Sequence, residues 1–94
     1  MRITFDPAKN EKNTLERGLS FERAREFEFA TAQIQSEFRH GEWRRFAKGL
    51  IDGRLYALVY TPEVDGIRVI SLRKANKREV KIYEESRRNL EQGT

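Results

Sequence analysis

Arginine and lysine residues are concentrated in the second half of the chain, and aromatic residues stand between them. Residues 1–40 carry seven basic and seven acidic residues, whereas residues 41–94 carry twelve and eight, so the net charge of +4 lies after residue 40. Cationic side chains bind phosphates, and flat rings stack on unpaired bases, which is the combination that single-stranded RNA requires. The residues concerned are Arg39, Arg44, Arg45, Lys48, Arg54, Arg68, Arg73, Lys74, Lys77, Arg78 and Lys81, with Trp43, Phe46, Tyr56, Tyr60 and Tyr83 among them. The alternative is that the aromatic residues form the core and the basic residues a solvated face.

Arg68 and His40 are distinguished by their local sequence. Arg68 lies between Ile67 and Val69 in a predicted strand, so its guanidinium requires an acidic partner or an open cleft, and Glu79 is the candidate for a structural salt bridge. His40 precedes a Gly-Glu turn, and histidine is the side chain whose ordinary pKa lies near neutrality. It is therefore a candidate acid or base, with an ordinary loop histidine as the alternative.

Length and composition exclude several classes of protein. A chain of 94 residues forms one small domain, here residues 1–94. With no cysteine and a single histidine, disulfides, cysteine zinc sites and histidine-rich metal sites are excluded, and we predict neither metal nor cofactor. The longest apolar run, residues 55–60, is far shorter than the ~20 residues of a membrane span, and the first residues lack an export signal. We therefore expect a cytoplasmic protein that does not enter a membrane.

The pattern of apolar residues predicts an α+β fold. Asp6 and Pro7 begin a helix that Gly18 ends, and Asp52-Gly53 is typical of a tight hairpin turn. Residues 55–61 are apolar on both faces, which favours a central strand. The expected architecture is an antiparallel sheet packed with two N-terminal helices and a C-terminal helix. The predicted elements are a strand at 3–5, helices at 7–17 and 21–28, strands at 31–39, 43–51, 55–61 and 67–72 with a turn at 62–66, and a helix at 74–89.

Several segments, in order, resemble the BrnT family of toxins. Each segment alone is weak evidence for the resemblance, but the order and spacing of the whole set are specific to the family. The segments extend from near the N-terminus to Tyr83. The segments are Phe5-Asp6-Pro7-Ala8-Lys9-Asn10-Glu11-Lys12-Asn13, Gly18-Leu19-Ser20-Phe21 with Ala24, Gly41-Glu42 with Arg44, and Arg68-Val69-Ile70-Ser71-Leu72-Arg73-Lys74-Ala75 with Glu79 and Tyr83.

The resemblance implies a RelE-like ribonuclease toxin of a type II toxin–antitoxin system, which cleaves RNA and thereby inhibits translation. It also implies a BrnA-type ribbon-helix-helix antitoxin as partner, in a heterotetramer of two toxins and two antitoxins. Operator DNA would be bound through the antitoxin alone. The RNA cleavage we expect is metal-independent, with the substrate 2′-hydroxyl attacking the adjacent phosphate.

The family pattern, together with the basic residues, gives the candidate site. Arg44, Arg68 and Arg73 are expected to stabilise developing negative charge, and His40, Glu79 or Tyr83 to move protons, although Tyr83 could equally stack or pack. The candidates for RNA binding are Lys9, Arg17, Arg39, Arg45, Lys74 and Lys77. The family usually has Lys-His-Gly where this chain has Glu16-Arg17-Gly18. Arg17 can bind phosphate but cannot accept a proton near neutral pH.

A different class of function stays open on the sequence alone. The chain contains no nucleophile motif, so a non-catalytic protein-binding module, or an inactive toxin homologue acting in a repressor complex, is the alternative. Direct DNA binding by this chain is less favoured, because the two helices that meet at Gly18 are short and show no helix-turn-helix pattern.

Overall fold

The computed structural model describes residues 1–92 and contains a five-stranded sheet with two α-helices. The strands occupy the spatial order β1-β5-β4-β3-β2, so β4 is central, as its apolar sequence predicts. Within residues 1–92, no helix combines the length and apolar character needed to cross a membrane. The elements are β1 (Arg2–Phe5), α1 (Pro7–Arg17), 3₁₀ helices at Phe21–Glu26 and Phe29–Thr31, β2 (Gln33–Arg39), β3 (Glu42–Ile51), β4 (Arg54–Glu63), β5 (Gly66–Lys74) and α2 (Lys77–Gln92).

The sheet is mixed, which corrects the prediction of an antiparallel sheet. Strands β2 to β5 pair antiparallel, but β1 pairs parallel to β5, with Ile3 opposite Ile67. Only Val64 and Asp65 connect β4 to β5, because Pro62 lies within β4 opposite Ile67, and the predicted turn at 62–66 is therefore shorter than expected. The Asp52-Gly53 turn is confirmed, with both residues at positive φ.

The predicted beginning and end of α1 are confirmed. The Asp6 carboxylate accepts a hydrogen bond from the Ala8 amide, Pro7 is the first helical residue, and Gly18 ends the helix at a φ of 64°. A buried Asn13 attaches α1 to the rest of the protein, because its side-chain amide donates to the carbonyl oxygens of Leu19 and Leu72.

The second predicted helix, over 21–28, is a 3₁₀ helix at Phe21–Glu26, so it ends two residues earlier than expected. The backbone hydrogen bonds at its two ends join residues three positions apart. The Arg23 amide donates to the Ser20 carbonyl, and the Phe27 amide donates to the Ala24 carbonyl. In a 3₁₀ helix, side chains three positions apart lie on one line. Phe21, Ala24 and Phe27 follow that spacing, and all three are buried.

The two faces of the sheet are covered unequally. One face, called here the core face, packs Ala47, Leu58 and Leu72 against the 3₁₀ helices and contains the main hydrophobic cluster. On the opposite face, α2 covers only one end, where Tyr83 and Val80 pack against Leu50 and Leu55. The rest of that face stays open, and it contains the candidate site.

The β2–β3 hairpin extends beyond the helices. Ile34 and Phe38 of β2 are 42% and 60% exposed, and Trp43 opposite Phe38 is 67% exposed. The register places Arg45 and Ala47 on the same face of β3 as Trp43, and Arg44 and Phe46 on the other face.

Candidate functional site

The three arginines predicted to stabilise charge lie on one face of the sheet, called here the arginine face. A β-bulge in β5 makes this possible, because Tyr60 pairs with Val69 whereas Val59 pairs with Ser71, which leaves Ile70 as an extra residue. Arg68 and Arg73 are five residues apart, and strict alternation would direct them to opposite faces. Their cross-strand neighbours, Thr61 and Ala57, belong to the same face of β4, so the two arginines do too.

Glu42 joins two of these arginines. Its Oε1 accepts hydrogen bonds from Arg44 Nε at 3.0 Å and from Arg68 Nη2 at 3.2 Å, and its Oε2 lies 3.3 Å from Arg68 Nη2. The hydrogen bond from Arg44, with the charge of Arg68, holds the pKa of the Glu42 carboxyl below its ordinary value. Arg68 therefore has an acidic partner as predicted, but that partner is Glu42 and not Glu79.

Glu79 is instead the partner of Arg73. Two parallel hydrogen bonds, of 2.8 and 3.0 Å, join the guanidinium to the two carboxylate oxygens. Oε1 of Glu79 also accepts a hydrogen bond from the Asn76 amide, and the Asn76 side chain accepts one from the Glu79 amide. Asn76 and Glu79 therefore form a capping box at the start of α2. Arg73 is the main cause that lowers the pKa of Glu79 to about 2, and the charge of Lys48 adds to it. Glu79 is thus an ionised structural anchor at neutral pH.

His40 lies in the β2–β3 turn, at the edge of a cavity on the arginine face. The residue has a φ of 51°, Gly41 follows at 77°, and the imidazole side chain is exposed. The cavity has a volume of about 190 Å³. Its walls combine a candidate proton carrier with two arginines and an apolar floor. They comprise Glu37, Arg39, His40, Arg44, Phe46, Val59, Ile70 and Ser71.

A second cavity lies between α1 and β5 and contains the basic residues of the helix. Lys9, Lys12 and Arg17 line this space of about 250 Å³, and Arg17 Nη1 donates to Asn13 Oδ1 at 2.8 Å. Ile70 and Ser71, the residues of the β-bulge, line this cavity as well as the His40 cavity. Arg17 also lines a third cavity with Leu19, Arg73 and Lys74. Neighbouring cavities thus share lining residues, and the three together are called here the basic groove.

The predicted site residues divide into those that line this groove and those that do not. Eight of the twelve line the groove or lie on the arginine face, Glu79 bonds Arg73 from α2, and the remaining three lie elsewhere. Tyr83 is buried and its hydroxyl donates to the Thr31 carbonyl at 3.0 Å, which is a packing arrangement. Arg45 is exposed on the core-face side of the hairpin, opposite Arg44. Lys77 is exposed at the first position of α2 and lines none of the three cavities.

The aromatic residues lie mostly away from the groove. Tyr56 and Tyr60 are buried in the main core with less than a tenth of their surface exposed, and burial raises the pKa of Tyr60. Trp43 lies on the other side of the sheet from Arg44. Phe46 is the aromatic residue of the predicted set that lines the groove. The reading in which the aromatic residues form the core therefore holds for the three tyrosines.

Three residues of the site were missed as site residues in the sequence. Glu42 bonds Arg68 of β5, and the charge of Lys48 lowers the pKa of Glu79 on α2. Both interactions join different elements, so sequence spacing does not indicate them. Lys12 follows Lys9 by three residues in a predicted helix, so helical spacing alone could have placed both on one side of α1. Within the part of the chain that the structure describes, no group of three or more His, Cys, Asp or Glu side chains could hold a metal ion.

Comparison with known families agrees with this geometry. A family model described as the ribonuclease toxin BrnT of type II toxin–antitoxin systems matches residues 5–79. The chain belongs to the BrnT family. The matched segment begins at the end of β1 and includes Arg44, Arg68, Arg73 and Glu79, so it spans the groove and its supporting strands.

A solved structure supports the membership in this BrnT family. The chain resembles the crystal structure of the Brucella abortus ribonuclease toxin BrnT, with 26% sequence identity and a TM-score of 0.63. The similarity covers 82% of this chain and 99% of the Brucella chain. No curated protein gives a significant match. A type II toxin family implies an antitoxin as partner.

Proposed function

We propose that this BrnT-family chain is a metal-independent endoribonuclease that uses the basic groove to bind single-stranded RNA. The observation that carries the proposal is that Ile70 and Ser71 line both the cavity of His40 and Arg44 and the cavity of Lys9 and Arg17, so the two sets of cations lie next to each other. A single-stranded backbone laid along this groove would meet cations at each end.

The proposed reaction is an internal phosphoryl transfer. The 2′-oxygen of the substrate attacks the adjacent phosphorus as its proton passes to a base, and the 5′-oxygen of the next nucleotide leaves and takes up a proton. The products are a 2′,3′-cyclic phosphate and a free 5′-hydroxyl. Developing charge on the phosphoryl oxygens needs fixed cations, and Arg44 and Arg68 are the residues proposed to supply them. Their side chains are held in place by Glu42 before substrate arrives.

Proton transfer is assigned to His40. Glu42 and Glu79 both have a lowered pKa and are bonded to arginines, which makes them poor bases at neutral pH. The hydroxyl of Tyr83 is bonded to the Thr31 carbonyl and lies in the α2 packing cluster. Arg73 is proposed to bind RNA from the third cavity, and Lys9, Arg17, Arg39 and Lys74 to bind flanking phosphates.

The decisive experiment is cleavage of a single-stranded RNA by the purified chain in the presence of EDTA. We expect a cyclic phosphate product, and no cleavage of an RNA with 2′-deoxyribose at the scissile position. Arg44→Ala is expected to lower the rate by about tenfold to a thousandfold, and His40→Ala by about a hundredfold or more. Arg88→Ala, an exposed arginine of α2, is the control and is expected to cleave normally. A folded chain that binds RNA but never cleaves it would support the non-catalytic alternative.

The cellular part of the proposal rests on family membership. We propose that the chain inhibits translation in the cytoplasm and that a BrnA-type ribbon-helix-helix antitoxin neutralises it in a complex of two toxins and two antitoxins. Operator DNA would be bound through the antitoxin. Induced expression should arrest growth, co-expression of the adjacent small gene should relieve it, and light scattering of the purified complex gives the stoichiometry. A DNA shift by the toxin alone would contradict the proposal.

A further inference from the structure

An apolar patch on the β2–β3 hairpin has no partner within the described chain. Ile34 and Phe38 on β2 lie on the core-face side, and Phe38 is directly opposite Trp43 on β3. The rings of Phe38 and Trp43 meet edge to face, with centroids 5.4 Å apart. Ser36 and Arg45 face each other between these apolar residues. These five residues are called here the hairpin patch.

The exposure of the hairpin patch is unlike that of other apolar residues on the surface. Its two aromatic residues are 60% and 67% exposed and touch each other, whereas Leu15 on α1 and Val64 in the β4–β5 turn are exposed on separate elements. Large aromatic side chains are enriched at protein interfaces, where a few of them contribute most of the binding energy. A contiguous aromatic surface next to the core therefore indicates a protein partner.

The geometry of β2 indicates how the partner binds. β2 is an edge strand of seven residues that pairs with β3 on one side, and within residues 1–92 no strand pairs with its other side. Its outward backbone amides and carbonyls are available to an extended segment, which would add a sixth strand to the sheet. Alternate side chains of that segment would face Ile34 and Phe38.

The positive charge of Arg45 in the hairpin patch indicates the charge that the partner carries. Arg45 is the charged member of the hairpin patch, it is exposed, and it forms no ion pair within the described residues. Glu37 and Arg39 project from the opposite face of β2. The patch thus presents apolar surface and a positive charge, which complements an extended segment with apolar residues and a nearby carboxylate.

We propose that the antitoxin binds the hairpin patch and the free edge of β2 through an acidic extended segment that adds a strand to the sheet. The proposal rests on the proposed role of the chain as the toxin of a type II pair. The patch and the arginine face lie on opposite sides of the sheet, because Arg45 and Arg44 are successive residues of β3. Antitoxin binding and RNA cleavage should therefore be separable by mutation.

The test uses the full chain together with the protein encoded by the adjacent gene as the probe. The double variant Phe38→Ser/Trp43→Ser removes the aromatic pair, and we expect its affinity for the probe to fall about 30-fold or more in calorimetry. Arg45→Glu is expected to weaken binding about tenfold or more, through repulsion of the partner's carboxylate. Val64→Ser, at a fully exposed apolar residue in the β4–β5 turn, is the control and should bind normally.

RNA cleavage by the same variants separates this proposal from the proposed function. The double variant Phe38→Ser/Trp43→Ser should cleave RNA as the wild type does and arrest growth even when the antitoxin is co-expressed. Arg68→Ala should lose cleavage but bind the probe normally. If the hairpin variants bind the probe as well as wild type does, the proposal is overturned, whatever the outcome of the cleavage assay. The proposal is also overturned if the patch mediates dimerisation of the isolated chain. In that case the wild type would have the mass of a dimer in solution, the double variant would have the mass of a monomer, and both would bind the probe equally well.

Discussion

Glu42 on β3 and Arg68 on β5 form an ion pair across the intervening strand β4. Arg68 Nη2 lies 3.2 and 3.3 Å from the two carboxylate oxygens of Glu42, and the same carboxylate accepts a hydrogen bond from Arg44. In the free protein, a negatively charged group thus stands between the two guanidiniums that are proposed to hold the scissile phosphate. It orients them, and it also competes with the phosphate for their charge.

Removing this charge should strengthen RNA binding. We expect Glu42→Gln to bind a single-stranded RNA about threefold to tenfold more tightly than the wild type at low salt, because the two arginines no longer neutralise a carboxylate. Fluorescence anisotropy at several salt concentrations measures the effect. Glu85→Gln, an exposed residue of α2, makes the same charge change and should leave the affinity close to that of the wild type. Unchanged or weaker binding by Glu42→Gln would show that the carboxylate does not compete with RNA.

The Arg73–Glu79 pair makes stability depend on pH. The folded-state pKa of Glu79, about 2, lies below the ordinary carboxyl value of 4.5, so the stabilisation is full above pH 4.5 and is lost as the pH falls towards 2. We expect this contribution to be on the order of 2 kcal/mol. In urea unfolding at pH 7, 4 and 2.5, the free energy of unfolding of Glu79→Gln should be well below that of the wild type at pH 7. The difference between the two proteins should become smaller as the pH falls. Glu84→Gln is the control on the same helix, and a gap independent of pH would contradict the assignment.

Asn13 should be a stability determinant despite its polar side chain. Its buried amide donates to the carbonyls of Leu19 and Leu72, at 2.8 and 3.0 Å, and Asn13→Ala would leave both without that donor. We expect a loss of about 2 kcal/mol, which for a domain of this size lowers Tm by roughly 8–16 °C. Thr14→Ala, next along α1 and exposed, should change Tm far less. A Tm within about 2 °C of the wild type would show that the two hydrogen bonds contribute little.

Gly66 should be required for the attachment of β1. A Cβ atom at this position would lie 1.8 Å from the Arg2 carbonyl oxygen, so Gly66→Ala must displace the first strand from β5. We expect a loss of about 2 kcal/mol in urea unfolding and faster amide exchange in residues 2–5. Asp65→Ala, at the neighbouring turn position, retains the backbone carbonyl that accepts from the Arg2 amide and should leave β1 in place. Normal protection of β1 in Gly66→Ala would contradict this reasoning.

Local signals predicted local structure well. The caps of α1, the Asp52-Gly53 turn and the central position of β4 follow from residue types at short spacing, and all are confirmed. The parallel pairing of β1 with β5 joins segments more than sixty residues apart, and no local pattern indicates it. The sequence predicted the second helix but not its type, because apolar residues three apart fit an α-helix and a 3₁₀ helix equally over six positions.

The candidate site was predicted in its residue types and only partly in its arrangement. The resemblance to BrnT named Arg44, Arg68 and Arg73, and family membership is confirmed, whereas the RelE-like relationship stays a prediction. The error over the partner of Arg68 has a clear cause, because Glu42 reaches it over another strand and sequence distance says nothing about such contacts. Arg45 was predicted to bind RNA, but the alternation of β3 directs it to the face opposite that of Arg44.

The extra residue at Ile70 constrains the spacing of arginines in related chains. Arg68 and Arg73 are five residues apart, and they lie on the same face only because the bulge at Ile70 shifts the alternation of side chains along β5 by one residue. A relative whose two arginines are four residues apart would reach the same arrangement with a regular strand. A relative with an interval of five and a regular strand would direct the second guanidinium to the core face, so the interval identifies an intact site only together with the presence or absence of the bulge.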